Sequence, residues 1–147
     1  MLSRCLASGM GRGYQYNYTA LMPSLFNSDR RIRKADTIVR VCRDFTRSDD
    51  LSQLDLLDVG SSNGIIDNFL ADHFHHVSGI DIDAAAMAHA RETFRKGNLG
   101  FEPGDAMQIA YPEHSFDVVV CTQIYEHVPD ASKMFAEIYR VLKPGGF

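Results

Sequence analysis

"DVGSSNG", residues 58 to 64, is a glycine loop set between an apolar run at 54–57 and a second one that opens at Ile65. Gly60 and Gly64 stand four residues apart, and Ser62 takes the place where a third glycine would be expected. Such a loop lets the backbone approach a ligand closely, so its neighbours decide what it holds. A dinucleotide fingerprint needs GxGxxG, but the chain has Ser62 at the middle glycine and Ile65 five places after Gly60. A pyrophosphate is therefore a poor match. A Walker loop needs Gly-Lys followed by Ser or Thr, and this stretch has no lysine.

Working outward, short apolar runs alternate with helical patterns. The runs are "LDLLDV" (54–59), "VSGIDI" (77–82), "LGFEP" (99–103) and "FDVVVC" (116–121). Between the first two lies "GIIDNFLADHF", with Ile65, Ile66, Phe69 and Leu70 on one face; "DAAAMAHARETFRK" follows, with Met87, Ala90 and Phe94 on another. After the fourth run, "DASKMFAEIYRVLKPGG" carries Met134, Phe135, Ile138, Tyr139, Val141 and Leu142 on one stripe and ends on a proline and glycine stop. Strands that alternate with helices predict parallel βαβ units, and nearly continuous apolar strands predict a sheet covered on both faces. Upstream, Ile32, Ala35, Ile38, Val39, Cys42 and Phe45 recur at helical steps and predict a helix capped by Ser28 or Asp29 that ends near "TRSDD". Residues 1–28 show no sustained period. The chain divides into an N-terminal arm and helix (1–50), on the lid or acceptor side, and a ligand-binding unit (51–147).

The 147 residues suffice for one sizeable core, and 45% apolar with 23% charged residues is ordinary globular composition. A net charge of −4 argues against a nucleic-acid or acidic-membrane partner. The cluster Arg30, Arg31, Arg33, Lys34 interleaves with apolar residues and reads as a solvated helix face. Tyr14, Tyr16 and Tyr18 alternate without basic residues between them, which fits packing or a lid better than base stacking. Cys5, Cys42 and Cys121 form no metal or disulfide spacing, so a reducing, cytoplasmic setting is expected. No apolar stretch has the length of a membrane span. Arg4 and Arg12, with no acid before Asp29, give the opening only a faint transit-peptide character. The histidines of "DHFHH" (His73, His75, His76) lack an accompanying carboxylate pattern and read as a solvated helix end, with no metal expected.

Three acids narrow the ligand. Asp81 ends the second run 21 residues after Gly60, where an acid can accept from both hydroxyls of a ribose; the capping of the next helix is better assigned to Asp83. Asp105, in "EPGDAMQ", can accept from the exocyclic amine of adenine, and Asp58 can sit beside an ammonium group. Together they suit an adenosine that carries an amino-acid moiety in place of phosphates.

The motifs "LLDVGSSNG", "GIDID", "GDAMQIAYPEHSFDVVVC", "TQIYEHVPD" and "RVLKPGG" occur in order from about Leu54 to Phe147. This set resembles the class I S-adenosylmethionine-dependent methyltransferases, in their small-molecule (type 11 or 12 domain) branch. The resemblance implies an α/β, Rossmann-like parallel sheet of order 3-2-1-4 with helices on both faces and S-adenosyl-L-methionine as cofactor. It places Asp58, Gly60, Ser61, Ser62 and Gly64 around the methionine part, Asp81 and Ile82 at the ribose side, Asp105 and Ala106 at the adenine, and Gln123 near the amine. Ser62 departs from the family's usual glycine.

A sulfonium methyl is already activated, so the expected task is to hold a nucleophile in line with it and to exclude water. If the acceptor is a hydroxyl, Glu126 and His127 in "YEHV" are the candidate base; the plainer role is packing, or capping of the helix near Asp130. The expected activity is methyl transfer, by O- or C-methylation, to a small-molecule acceptor. Two other classes share parts of the pattern: a noncatalytic cofactor-binding fragment or regulatory module, and an NAD-dependent oxidoreductase. The chain stops at "KPGGF", before the family's fifth strand, which leads to the expectation of a truncated fold whose fourth strand is an edge open to self-association.

Overall fold

A computed structural model describes residues 28–147; the tyrosine triplet, Cys5 and the proposed arm lie outside the described residues. The order is α1 (Ser28–Thr46), β1 (Asp55–Val59), α2 (Ile65–Leu70), β2 (His76–Asp81), α3 (Ala84–Thr93), β3 (Leu99–Pro103), β4 (Val118–Cys121), a 3₁₀ turn (Tyr125–His127) and α4 (Ala131–Val141). The strands form one sheet of order β3-β2-β1-β4, and every pairing is parallel. Fold class and strand order match the sequence reading.

Neighbouring residues of β1 point to opposite faces, as the two-residue strand period requires. Leu56 joins Ala35, Val39 and Cys42 of α1 and Ile66 and Leu70 of α2 in one core cluster; Leu57 joins Met134 and Val141 of α4 in another. A third cluster seats Met87 and Ala90 of α3 against Phe101 of β3. Two helices start on side-chain caps: Asp83 accepts from the Ala85 and Ala86 amides, and Asp130 from those of Ser132 and Lys133. Asp83 thereby fills the capping role and releases Asp81 for another.

Two predicted faces are narrower than expected. In α1 the inward stripe is Ala35, Val39 and Cys42, while Ile32 (41% exposed) and Phe45 (63%) face outward. In α4 Phe135 and Tyr139 are exposed, because a single layer of sheet covers only the Met134–Val141 side. The outer edge of β4 meets the last residue: Val119 N–H donates to Phe147 O at 2.9 Å and Phe147 N–H to Asp117 O at 3.0 Å. Phe147 also stacks on Phe45, with centroids 4.1 Å apart.

Candidate functional site

The sequence-predicted cofactor residues follow or end strands at the carboxyl edge of the sheet, apart from Asp58, the penultimate residue of β1; that edge is the side where open parallel sheets bind ligands. Strand register aligns Val59 with Ile80 and with Cys121, so the segments after β1, β2 and β4 leave side by side. The glycine loop is tied to β2: Gly60 N–H and Ser61 N–H both donate to Ile80 O, at 2.8 and 3.1 Å. The segment after β3 is tied to the same place, since Gly104 N–H donates to Asp81 O at 2.9 Å.

Three loop residues have positive φ: Gly60 (89°), Ser62 (55°) and Gly64 (76°). A side chain at Gly60 would meet Ile124 Cγ2 at 2.3 Å; one at Gly64 would meet Phe101 Cζ at 2.6 Å and Ala90 Cβ at 3.0 Å. Both glycines are therefore required for conformation and for space. Ser62 takes the same left-handed conformation with a β-carbon, at a backbone cost of about 1 kcal/mol relative to glycine. Its amide is used at once: Ser62 N–H donates to Asp81 Oδ2 at 2.9 Å, and Asp83 N–H to Asp81 Oδ1 at 2.9 Å. Asp81 is thus fixed by two backbone bonds, and a carboxylate has lone pairs left for two further donors. Burial raises its pKa, although these amides pull it down. Ile82 is half-buried beside it.

Asp58 lies beneath the loop, 2% exposed, and its Oδ1 has no hydrogen-bond partner. Burial and the charge of Asp81 push its pKa up to about 7, against the pull of Lys34 and Arg31. Asp105 closes a tight turn by accepting from Met107 N–H at 2.7 Å, with Ala106 buried next to it. That segment is gripped by α4: Arg140 donates to the carbonyls of Ile109 and Tyr111, both at 2.8 Å, and Glu137 Oε2 accepts from Ile109 N–H at 2.8 Å. Gln123 is exposed, with φ 61°. Glu126 and His127 lie in the 3₁₀ turn, with His127 Nε2 3.8 Å from Glu126 Oε1; the helix-capping alternative falls to Asp130 instead.

Sequence reasoning missed two features. Asp67, in the first turn of α2, is fully buried, and both its carboxyl oxygens lack a partner from another residue; burial and the Asp58 charge hold its pKa well above the usual range. Its place between Ile66 and Leu70, on the apolar face of α2, was the available signal. The second is that Arg31 and Lys34 are half-buried while Arg30 and Arg33 are exposed, which corrects the reading of all four as a solvated face. Lys34 Nζ donates to Gln123 Oε1 at 2.7 Å.

Outside this rim, burial raises the thiols of Cys42 and Cys121 to about 11, which fits small apolar packing and not nucleophiles. His75 Nδ1 pairs with Asp55 Oδ1 at 2.8 Å and His73 packs on Phe69. Among the described residues no helix is long and apolar enough to cross a membrane.

A family model described as "Methyltransferase domain" matches residues 57–147. A "Probable S-adenosylmethionine-dependent methyltransferase" of Mycolicibacterium smegmatis is 35% identical over 63% of this chain and 35% of its own length. The "Ubiquinone biosynthesis O-methyltransferase" of Pseudomonas entomophila is 37% identical over 62% of this chain and 40% of its own. The chain thus spans well under half the length of these curated relatives. Among solved structures, a Methanococcus maripaludis protein aligns with 94% of this chain and 65% of its own length, with a TM-score of 0.72 and 22% identity, a likeness of fold.

Proposed function

The chain belongs to the methyltransferase domain family, and from that premise we propose that it binds S-adenosyl-L-methionine and passes the methyl group to a small-molecule acceptor, by O- or C-methylation, releasing S-adenosyl-L-homocysteine. The observation that carries this reading is the buried, unpartnered Oδ1 of Asp58 under a loop whose Gly60, Ser62 and Gly64 all have positive φ. An orphaned carboxyl oxygen is costly unless a donor arrives, and an α-ammonium group is a donor of the right charge. The residues fit the rest of the cofactor. Asp81, anchored by two amides, is assigned the ribose diol; Asp105 and Ala106, one and two residues beyond the Gly104–Asp81 bond, are assigned the adenine. Ile82 offers an apolar edge to the base.

When bound, the cofactor supplies an activated methyl. The chain supplies position and exclusion of water. Ile124, pressed on Gly60, closes one side of the loop, and the turn that follows carries Glu126 and His127. For a hydroxyl acceptor we assign this pair the role of proton acceptor, the two side chains lying 3.8 Å apart. The O-methyltransferase relative supports a small-molecule acceptor. A cytoplasmic setting is supported by two free, inert thiols at Cys42 and Cys121.

Calorimetry with S-adenosyl-L-homocysteine tests the reading. Wild type binds, and Asp81→Ala weakens binding by about 100-fold through loss of the ribose acceptor and of the loop's anchor. Equal binding by both proteins refutes the ribose assignment.

A further inference from the structure

Strand register sets Phe101, Gly79, Asp58 and Val120 side by side in one row across all four strands. Asp58 lies two residues from Leu56, Gly79 two from Val77 and Val120 two from Val118, so their positions face the core that α1 and α2 cover. The glycine leaves a gap in the row. A β-carbon there would meet Asp67 Oδ1 at 2.8 Å, Ser61 Oγ at 2.7 Å and Phe101 Cδ1 at 2.9 Å, so the gap is already occupied, in part by the carboxyl group of Asp67 from the first turn of α2. Seated over β2, that carboxyl has the Phe101 ring on one side. On the other is Asp58, one strand spacing of about 4.8 Å along the row.

The two acids lack what ionised carboxylates need. Both oxygens of Asp67 and Oδ1 of Asp58 are sealed from solvent and accept no hydrogen bond from another described residue. Two neighbouring buried charges would repel, whereas a proton on one carboxyl turns the pair into a donor and an acceptor. Asp67 is the member to hold it, since it lacks a partner at both oxygens and Asp58 at one. The surrounding charges favour the same assignment: Arg31 and Lys34 of α1 both act on Asp58, and of these only Arg31 acts on Asp67. Asp81, with Asp83 beside it, faces both acids from the end of β2, and the Cys121 thiol faces Asp58 from β4. The Ser61 hydroxyl, also at the gap, donates to Met87 Sδ at 3.6 Å.

We propose that Asp67 is a neutral carboxylic acid that donates a hydrogen bond to Asp58 and thereby positions the Asp58 carboxylate beneath the glycine loop. The bond takes one of the roughly four lone-pair sites of that carboxylate and leaves others for a ligand's ammonium. It deepens the cofactor reading, and only the binding arm of its test rests on that reading.

Carboxyl-carbon NMR titration of the ligand-free chain, with the aspartate signals assigned through the backbone, reads each acid directly. In wild type the Asp67 signal keeps the position of a neutral acid at pH 8, a result that needs no variant; an ionised Asp67 there overturns the proposal. Asp67→Leu, which removes the donor, raises the pKa of Asp58 by about one to two pH units, the worth of a hydrogen bond to a charged group. Asp67→Asn, whose amide still donates, leaves it at the wild-type value. A fall in both variants reveals a like charge at position 67, and no change in Asp67→Leu reveals two uncoupled acids; either outcome overturns the assignment. Calorimetry with S-adenosyl-L-homocysteine at pH 7 is expected to show binding weakened about tenfold by Asp67→Leu and unaltered by Asp67→Asn. If Asp58 titrates as stated in all three proteins and wild type does not bind the ligand, the cofactor reading falls and the acid pair stands. If wild type binds and neither variant moves Asp58, the cofactor reading stands and the acid pair falls.

Discussion

Asp55 and Asp58 sit three residues apart on the same strand, at opposite ends of the molecule's chemistry. At the amino end of β1, Asp55 pairs with His75 Nδ1 at 2.8 Å and Lys143 Nζ at 3.3 Å; the same lysine lies 2.7 Å from Asp117 Oδ2, which also accepts from the Asp55 amide at 2.9 Å. Burial pulls the Asp55 pKa upward, but these bonds outweigh it and the net shift is down. At the carboxyl end Asp58 is buried with an oxygen unpartnered and rises to about 7. The linkage signs are opposite. Asp55 adds stability that is present above its unfolded pKa and is lost as pH falls through its lower folded value. Asp58 binds more protons folded than unfolded, so its cost accumulates as pH rises from its unfolded value to about 7. One end of the strand holds the fold together; the other keeps a deficit that a ligand can fill.

The contrast can be broken most forcefully at the loop. Gly64→Ala drives a methyl into Phe101 and Ala90 at a positive φ, and urea unfolding is expected to show a loss on the order of 3 kcal/mol. Relieving the deficit acts in the other direction: Asp67→Asn removes a buried titrating acid and stabilises at pH 8 in urea unfolding, a gain that shrinks toward pH 4, where the unfolded acid also becomes protonated. Ligand binding senses the same charge. An ammonium requires Asp58 ionised, so affinity for S-adenosyl-L-homocysteine rises with pH up to about 7, by at most about tenfold per unit, and levels off above. Flat affinity between pH 5.5 and 7 removes Asp58 from the ammonium site. The smallest effect belongs to the amino end. Lys143→Met costs about 1 kcal/mol of stability, discounted for the partial exposure of the pair, and leaves calorimetric affinity unchanged.

Much of the fold was legible because parallel strands buried on both faces write themselves as apolar runs: three of the four predicted runs contain the observed strands, the run at 77–82 is displaced by one residue from β2 (His76–Asp81), and the order 3-2-1-4 followed from the motif set. The positions of the loop, Asp81 and Asp105 at the carboxyl ends of strands were legible because spacing from a strand end is local information. Arg31 and Lys34 were not. Helical periodicity sorts residues into apolar and charged faces, and it has no means of separating a lysine turned to solvent from one turned to acids on a distant strand. Asp67 escaped for the converse reason, since an acid in the first turn of a helix looks like a favourable dipole partner until packing reveals that it is sealed. Phe135 and Tyr139 carried an apolar signal equal to that of Met134, and only the width of the covering sheet separated them.

The contact between Ile124 and Gly60 joins parts of the chain that sequence keeps far apart. A shorter residue at 124 would leave the hairpin-tight loop slack on its outer side, and a bulkier one would push it toward β2. On the cofactor reading proposed above, position 124 borders both the loop and the turn that carries Glu126 and His127, so a change there is expected to alter methyl-donor affinity together with acceptor preference.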